Sequence, residues 1–544
     1  MFAALRHTGH LARAAVILAR HDALWPAEFA QKPVWLGLAG ALARHIPLGP
    51  RLRRASGSTG MPGRLAQAFE TLGPAYIKLG QLLATRPDVV GPKVAEALGA
   101  LQDRLPPFPQ AAAETVISDA FGRPVASLYS TLGPAVAAAS IAQVHKGTVA
   151  AWIGHNLAAA NDPGARDGGN DRSVAVKILR PGVERAFRKD IDSFFWAARL
   201  VERHVPKARR LEPVKLVETL NASLALELDL RLEAAAAAEM AQNIANDPWF
   251  RVPRIDWART ARRVLTLEWV EGTPIGDRTA LAASHDLRQL ATRVMQGFLT
   301  HALRDGFFHA DMHQGNLFVD AEGRIVAVDF GIMGRLDPAS RRYLAEILMG
   351  FLTRDYARIA AIHIEAGYVP ARHGAEAFAQ ALRAIGEPIF GRSAGEISMA
   401  RLFTQLFETT ALFDMHLRPE LVLLQKTMVA VEGVARHLDP EHNLWDAARP
   451  VVERFMAREL GPEARLAEAA ESAAELGKVV AGLPGFLKTV ERAAALYAER
   501  GLKLDPDSVE ALGEARARAG RAEKLAFLAV GVALALAAVL ALTG

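Results

Sequence analysis

Asp311 is followed five positions later by Asn316, and thirteen positions after that by Asp329-Phe330-Gly331. The intervening "LFVDAEGRIVAVD" (317–329) reads as strand, turn, strand, which folds Asp329 back beside Asn316. A carboxylate and an amide oxygen presented from adjacent turns are hard ligands of the kind Mg2+ prefers. Asp311 is placed to orient an attacking group or accept its proton, and the pair beyond it to hold metal ions that bridge nucleotide phosphates. A chain with this spacing beside strands is constrained to build a phosphoryl-transfer cleft. His309 and His313 flank Asp311 without a third ligand at a recognisable spacing, so they are assigned to loop hydrogen bonding.

Two further pieces stand upstream in the order such a cleft needs. Val174-Ala175-Val176-Lys177 reads as a strand ending in a lysine able to grip the α- and β-phosphates. Before it, "GPAVAAASIAQVHKGTV" (133–149) has the outline of a phosphate-covering loop with its glycines replaced. Ala137, Ala139, Ala142 and Val144 stand at the positions of a Gly-x-Gly-x-x-Gly-x-Val motif, with Ala138 and Ser140 between them. Alanine does not readily take positive φ or let the backbone come as close as glycine does. The loop is therefore expected to cover a nucleotide with altered phosphate geometry and selectivity. Lys177 also needs a carboxylate on a neighbouring helix, and "LALELDLRLEAAAAAEM" (224–240) offers Glu227, Asp229 and Glu233. Asp229 and Glu233, four apart, share a helix face, whereas Glu227 points elsewhere. After "DFGIMGRL" the chain runs directly into the helical pattern "DPASRRYLAEILMGFL". It has no long activation segment and no Ala-Pro-Glu, so no platform for a protein substrate is expected.

The 544 residues contain no cysteine, which excludes disulfides, a thiolate nucleophile and cysteine-ligated zinc or iron–sulfur sites. The net charge of +5 is unevenly placed: no acid occurs in the first 21 residues, "RLRR" covers 51–54 and "EARARAGRAEK" covers 514–524. These clusters point to an anionic membrane surface. Aromatic residues do not interleave with them as stacking platforms, so no nucleic-acid partner is expected. From 525 to 544 there is no charged side chain, and twenty helical residues span about 30 Å, the thickness of a bilayer core. With its basic flank on the N-terminal side, this stretch is expected to be a transmembrane anchor that leaves the rest on the cytoplasmic face. The start of the chain reads as an amphipathic surface helix rather than a secretory leader. "RLPPFPQ" (104–110) is a Pro-rich break, and 154–173 is an exposed insertion rich in Gly, Asn and Asp. Two unequal lobes are expected to join near 268–275.

An ordered set of motifs resembles the UbiB family of atypical kinase-like proteins: "LGPAYIKLGQLLATRPDVV" (72–90), "LQDRLPPFP" (101–109), "AAASIAQVHKG" (137–147), "VAVKILRPG" (174–182), "ELDLRLEA" (227–234), "LTLEWVEG" (265–272), "HADMHQGNL" (309–317) and "VDFGIMGRL" (328–336). The family is required for ubiquinone (coenzyme Q) biosynthesis in bacteria and mitochondria. The resemblance implies an α+β, protein-kinase-like two-lobed fold with a family-specific N-terminal helical extension, a helix-rich C-lobe and a C-terminal transmembrane helix. The expected segments are a basic region (1–60), the extension (61–130), an N-lobe (131–275), a C-lobe (276–455), a helical arm (456–524) and the anchor (525–544). The implied cofactors are ATP and Mg2+, with Asp311 catalytic and Asn316 and Asp329 on the metal. Lys177 and its partner Glu233 belong to the nucleotide site, as do the Ala loop and Glu268 and Val270 at the lobe junction. The family's Lys-x-Gly-Gln motif falls on Lys78, Gly80 and Gln81 and its Glu-x-Asp motif on Glu227 and Asp229, which together are implied to gate the cleft. The implied function is a membrane-anchored atypical kinase or ATPase that supports access to, or processing of, lipid intermediates and assists ring hydroxylation steps. Its implied partners are anionic membrane lipid, isoprenoid quinone intermediates and other ubiquinone biosynthesis enzymes. The implied location is the inner (cytoplasmic) membrane, or the mitochondrial inner membrane in a eukaryote. A small-molecule or lipid kinase and a nucleotide-switched scaffold are the alternatives. The 154–173 insertion and the single apolar span depart from the family pattern.

Overall fold

The computed structural model describes residues 61–84, 92–99, 106–149, 172–204, 212–390, 412–415 and 418–460, with a helical piece around 13–18 and a few single positions between these spans. The chain divides into two compact units, Met1–Glu459 and Leu460–Gly544, and the described residues fall almost wholly in the first. The expected basic region at 22–60, the 154–171 part of the insertion, the arm from 461 onward and the 525–544 span lie outside the described residues.

Helices α1 (Met61–Leu72), α2 (Pro74–Ala84) and α3 (Pro92–Gly99) form the extension, and α4 (Gln110–Phe121) leads into the strands. Gly80 lets α1 and α2 approach closely: a Cβ there would run into Leu101 and come within 2.7 Å of Phe69 Cδ2. Strands β1 (Thr131–Ala138), β2 (Ala142–Val149) and β3 (Arg172–Leu179) follow, then α5 (Val183–His204), α6 (Pro213–Glu227), α7 (Leu230–Asn243), β4 (Phe250–Arg251) and β5 (Val264–Glu268). The N-terminal sheet is antiparallel in the order β1-β2-β3-β5. Its edge strand β1 carries Pro134 and two register shifts, which an edge tolerates because one side of its ladder is unpaired.

Alternation along β3 divides the work of its side chains. Val174, Val176 and Ile178 face one way and pack with Ala113, Val116 and Ile117 of α4. Lys177 therefore faces the opposite side, toward α7, whose Ala234, Ala237 and Met240 are buried in the main core.

The second lobe contains β6 (Thr273–Pro274), α8 (Arg278–Ala282), α9 (Leu287–Thr300), a π-helical turn (His301–Asp305), β7 (Phe307–His309), β8 (Leu317–Val319), β9 (Ile325–Ala327) and β10 (Met333–Arg335). Helices α10 (Pro338–Thr353), α11 (Tyr356–Glu365), α12 (Ala375–Phe390), α13 (Pro419–Leu438) and α14 (Leu444–Leu460) complete it. Helix α9 is its axis, burying Leu290, Ala291, Val294, Met295, Phe298 and Leu299. The short sheet β4-β9-β8-β6 and the pair β10-β7 frame the loops that follow β7 and β9.

The architecture is a kinase-like fold with a helical extension and a helix-rich second lobe, and the expected fold class needs one correction. Among the described residues no helix is long and apolar enough to cross a membrane, so a transmembrane helix is not part of the fold described here.

Candidate functional site

Lys177 is the centre of the cleft. Its Nζ donates to Glu233 Oε1 and to Asp329 Oδ1, each at 2.8 Å. These three groups come from β3, the first turn of α7 and the loop after β9, so one ammonium joins both lobes. Burial alone would lower the lysine, but the two carboxylates outweigh it and hold Lys177 charged. The carboxylates share that charge unequally. The Lys177 ammonium beside Asp329 holds its carboxyl well below the usual range. At Glu233 burial prevails and pushes the carboxyl up to about 7, with Lys177 opposing and Asp329 adding to the rise. One buried cation compensates one carboxylate fully, so the second keeps its proton longer.

This has a consequence for pH. A carboxyl raised from 4.5 to about 7 favours the fold below pH 4.5, and that contribution is lost as pH rises through 7. Wild type is therefore expected to lose roughly 1–3 kcal/mol relative to Glu233→Gln between pH 5 and pH 8. Urea unfolding of both proteins at the two pH values measures it.

The loop bearing Asp311 is held from beneath by a buried histidine. His309 accepts the Asp311 N–H at Nδ1 (3.1 Å) and donates from Nε2 to Val328 O (3.0 Å). Burial lowers its pKa and keeps the ring neutral, as this donor–acceptor pairing requires. Asn316 donates through Nδ2 to Asp311 O at 3.0 Å, which turns its carbonyl oxygen away from that bond. Asn316 O accepts from Val328 N at 2.9 Å, so the loops bearing Asn316 and Asp329 are joined directly. Asp329 has φ of +64°, a left-handed conformation uncommon outside glycine, and its side chain is half exposed. His313 accepts Gly315 N–H at Nδ1 (3.0 Å), and its Nε2 lies 3.6 Å from Asp311 Oδ2. Six residues after Gly331, Asp337 caps α10 by accepting from Ser340 N, so only a short turn and β10 separate the cleft from the next helix.

From the extension, Lys78 of α2 pairs with Glu227 at 2.6 Å, both side chains nearly buried. The Lys78 charge also contributes to holding Asp329 low. Gln81 lies one turn further along α2 and is half-buried. The three acids of 227–233 are separated by the break between two helices. Glu227 ends α6 and faces Lys78, Glu233 faces Lys177, and Asp229 caps α7. The Asp229 carboxylate accepts from Arg231 through the backbone N–H and the guanidinium, so it does not share a face with Glu233.

The Ala loop is a hairpin in which Ala137 pairs with Val144 and Ala138 with Gln143. Ser140 and Ala142 at its turn are buried, and Ala139 N donates to Ala142 O at 2.8 Å. At the lobe junction the Glu268 side chain is occupied: Arg251 reaches both its oxygens (2.9 and 3.0 Å) and Arg254 holds one through its backbone N–H. The Glu268 carboxylate is thus not free for a ligand, and its N–H is donated to Arg254 O at 2.8 Å; Val270 is half-buried. The sequence signal for this clamp was two arginines three residues apart on the approach to β5.

Among the described residues no group of three or more His, Asp or Glu side chains is arranged to hold a metal ion unaided. Asn316 and Asp329 supply hard oxygens from two joined loops, a donor set that fits Mg2+ when phosphate oxygens complete its shell.

Residues 100–158 and 165–363 match the ABC1 atypical kinase-like domain, and residues 382–443 match the UbiB helical domain. A probable protein kinase UbiB of Marinobacter nauticus is 40% identical over 424 residues, 77% of this chain and 73% of that protein. Proteins of the same name from Xanthomonas campestris and Aeromonas salmonicida are each 38% identical, over 82% and 81% of this chain and 78% of theirs. With a lysine bridging both lobes, a histidine-braced Asp311 loop and this degree of identity along most of its length, the chain belongs to the UbiB family of ABC1 atypical kinase-like proteins.

Proposed function

We propose that the cleft binds ATP with Mg2+ and hydrolyses it in support of ubiquinone biosynthesis. The observation that carries this reading is the Lys177 ammonium held 2.8 Å from both Glu233 and Asp329. When bound, Mg2+ would supply positive charge against the phosphate oxygens. Asn316 and Asp329 would hold it, Lys177 would position the α- and β-phosphates, and the Ala137–Val144 hairpin would cover them. Asp311 would orient the attacking group, its carboxylate steadied by the neighbouring His313 Nε2–H. Lys78, with Glu227 as its partner, would limit entry from the extension side. The short path from Gly331 to α10 leaves no platform for a protein substrate, which favours water or a small acceptor. Hydrolysis would then give other enzymes of the pathway access to isoprenoid quinone intermediates at an anionic membrane surface.

Purified full-length protein given γ-labelled ATP, Mg2+, anionic liposomes and a short phenol tests this reading. Label released as inorganic phosphate supports the ATPase. Label on the phenol or lipid makes the protein a small-molecule or lipid kinase, and nucleotide binding with neither product makes it a scaffold.

A further inference from the structure

Between the extension and α4 the chain runs as Pro106-Pro107-Phe108-Pro109, a stiff strap with φ fixed by its prolines. This strap is fastened to the β1–β2 hairpin. Gln143, almost completely buried, accepts Phe108 N–H at 2.9 Å and donates to Phe108 O at 3.2 Å. Its amide also donates to His145 Nε2 (2.8 Å), leaving His145 Nδ1–H to donate to Gly133 O (2.8 Å) on the irregular edge strand. Arg180, directly after β3, completes the attachment. Its Nη2 donates to Pro106 O at 2.7 Å and to Ala139 O at 3.1 Å, Nε donates to Ala139 O at 3.2 Å, and the guanidinium lies 5.4 Å from the Phe108 ring centre. One cation therefore bridges the strap and the hairpin tip. Ile141 and Ala142 of that tip belong to the same hydrophobic cluster as Phe69, Tyr76 and Leu101 of the extension.

We propose that Arg180 is a positioning residue that locks the Ala139 carbonyl to the Pro106–Pro109 strap, so that the hairpin tip and the segment leading to the Lys78 helices move as one body. A glycine loop closes over phosphates by its own flexibility. Here alanines stiffen the hairpin and Arg180 sets its height, so displacement of the extension is passed to the tip. The consequence for nucleotide rests on the reading that Ala137–Val144 covers ATP.

Arg180→Met keeps the apolar stem and the backbone bond from Arg180 N to Ile141 O (2.8 Å) but removes every side-chain donor, and Gln143→Leu frees the Phe108 backbone without altering Arg180. Hydrogen exchange is read at Ala139 N–H, which donates to Ala142 O, and at Phe108 N–H. In either variant both amides are expected to exchange about tenfold faster together, with the β3–β5 ladder unchanged. The KM for ATP rises about tenfold with a much smaller change in kcat, and the double variant is no worse than Arg180→Met. Arg180→Lys, a single point charge unable to fork across two carbonyls, falls between. Unchanged Ala139 exchange in Arg180→Met overturns the proposal. So does a uniform rise across the sheet, which would make Arg180 a stabilising residue only. If the two amides respond together but wild type binds no ATP, the nucleotide reading fails and the coupling stands.

Discussion

Asp329→Asn is expected to lower Mg2+-dependent ATP turnover by roughly 10²- to 10³-fold while leaving the fold intact. Asparagine has the same shape and accepts the left-handed backbone that Asp329 adopts at φ +64°, where alanine would add strain. What disappears is the charge opposite Lys177 and on the proposed metal. The substitution also removes the repulsion that helps raise Glu233, so the Glu233 carboxyl should titrate lower than in wild type. Initial-rate phosphate release at saturating ATP measures the first effect. Comparing the pH dependence of unfolding with and without the substitution measures the second. Turnover within threefold of wild type would remove Asp329 from the metal site.

Lys78→Met is expected to cost about 3–5 kcal/mol of stability, because it strands Glu227 as an uncompensated carboxylate in a nearly buried position. Lys78→Met with Glu227→Leu removes both charges and should recover most of that loss, so urea unfolding of the single and double variants isolates the pair. The double variant also separates two roles that the single one confounds. If Lys78 gates the cleft, turnover changes in a protein of restored stability; if the pair only braces α2 against α6, turnover returns with stability.

The Asp311–Asp329 segment was legible because its pattern is local in sequence. Asp311, Asn316 and Asp329 lie on consecutive loops, and the β8–β9 hairpin between them carries a strand–turn–strand pattern. Lys177 was legible for the same reason, near the end of an alternating strand that runs two residues further, to Leu179. The acids of 227–233 were harder. Helical periodicity puts Asp229 and Glu233 on one face, but the helix breaks at Leu228 and Asp229 becomes the cap of the next one. Periodicity does not report that break, because no glycine or proline marks it. The edge strand β1 was not marked as a strand, since its Gly, Pro and Ala are poor strand formers and it has a paired strand, β2, on one side only. The Arg180 and Gln143 contacts join positions 35 to 74 residues apart and leave no local signal. The apolar 525–544 stretch is evident in the sequence, but a span is a property of placed helices, and those described contain none.

The central claim is that this cleft turns over ATP with Mg2+. Phosphate release by the purified full-length protein, measured with Mg2+ and again with the metal chelated, tests it most directly. Steady release that requires Mg2+ and vanishes in Asp329→Asn is the predicted result. Tight ATP binding with no release in either condition, with or without anionic liposomes, would contradict the claim and leave a nucleotide-binding scaffold.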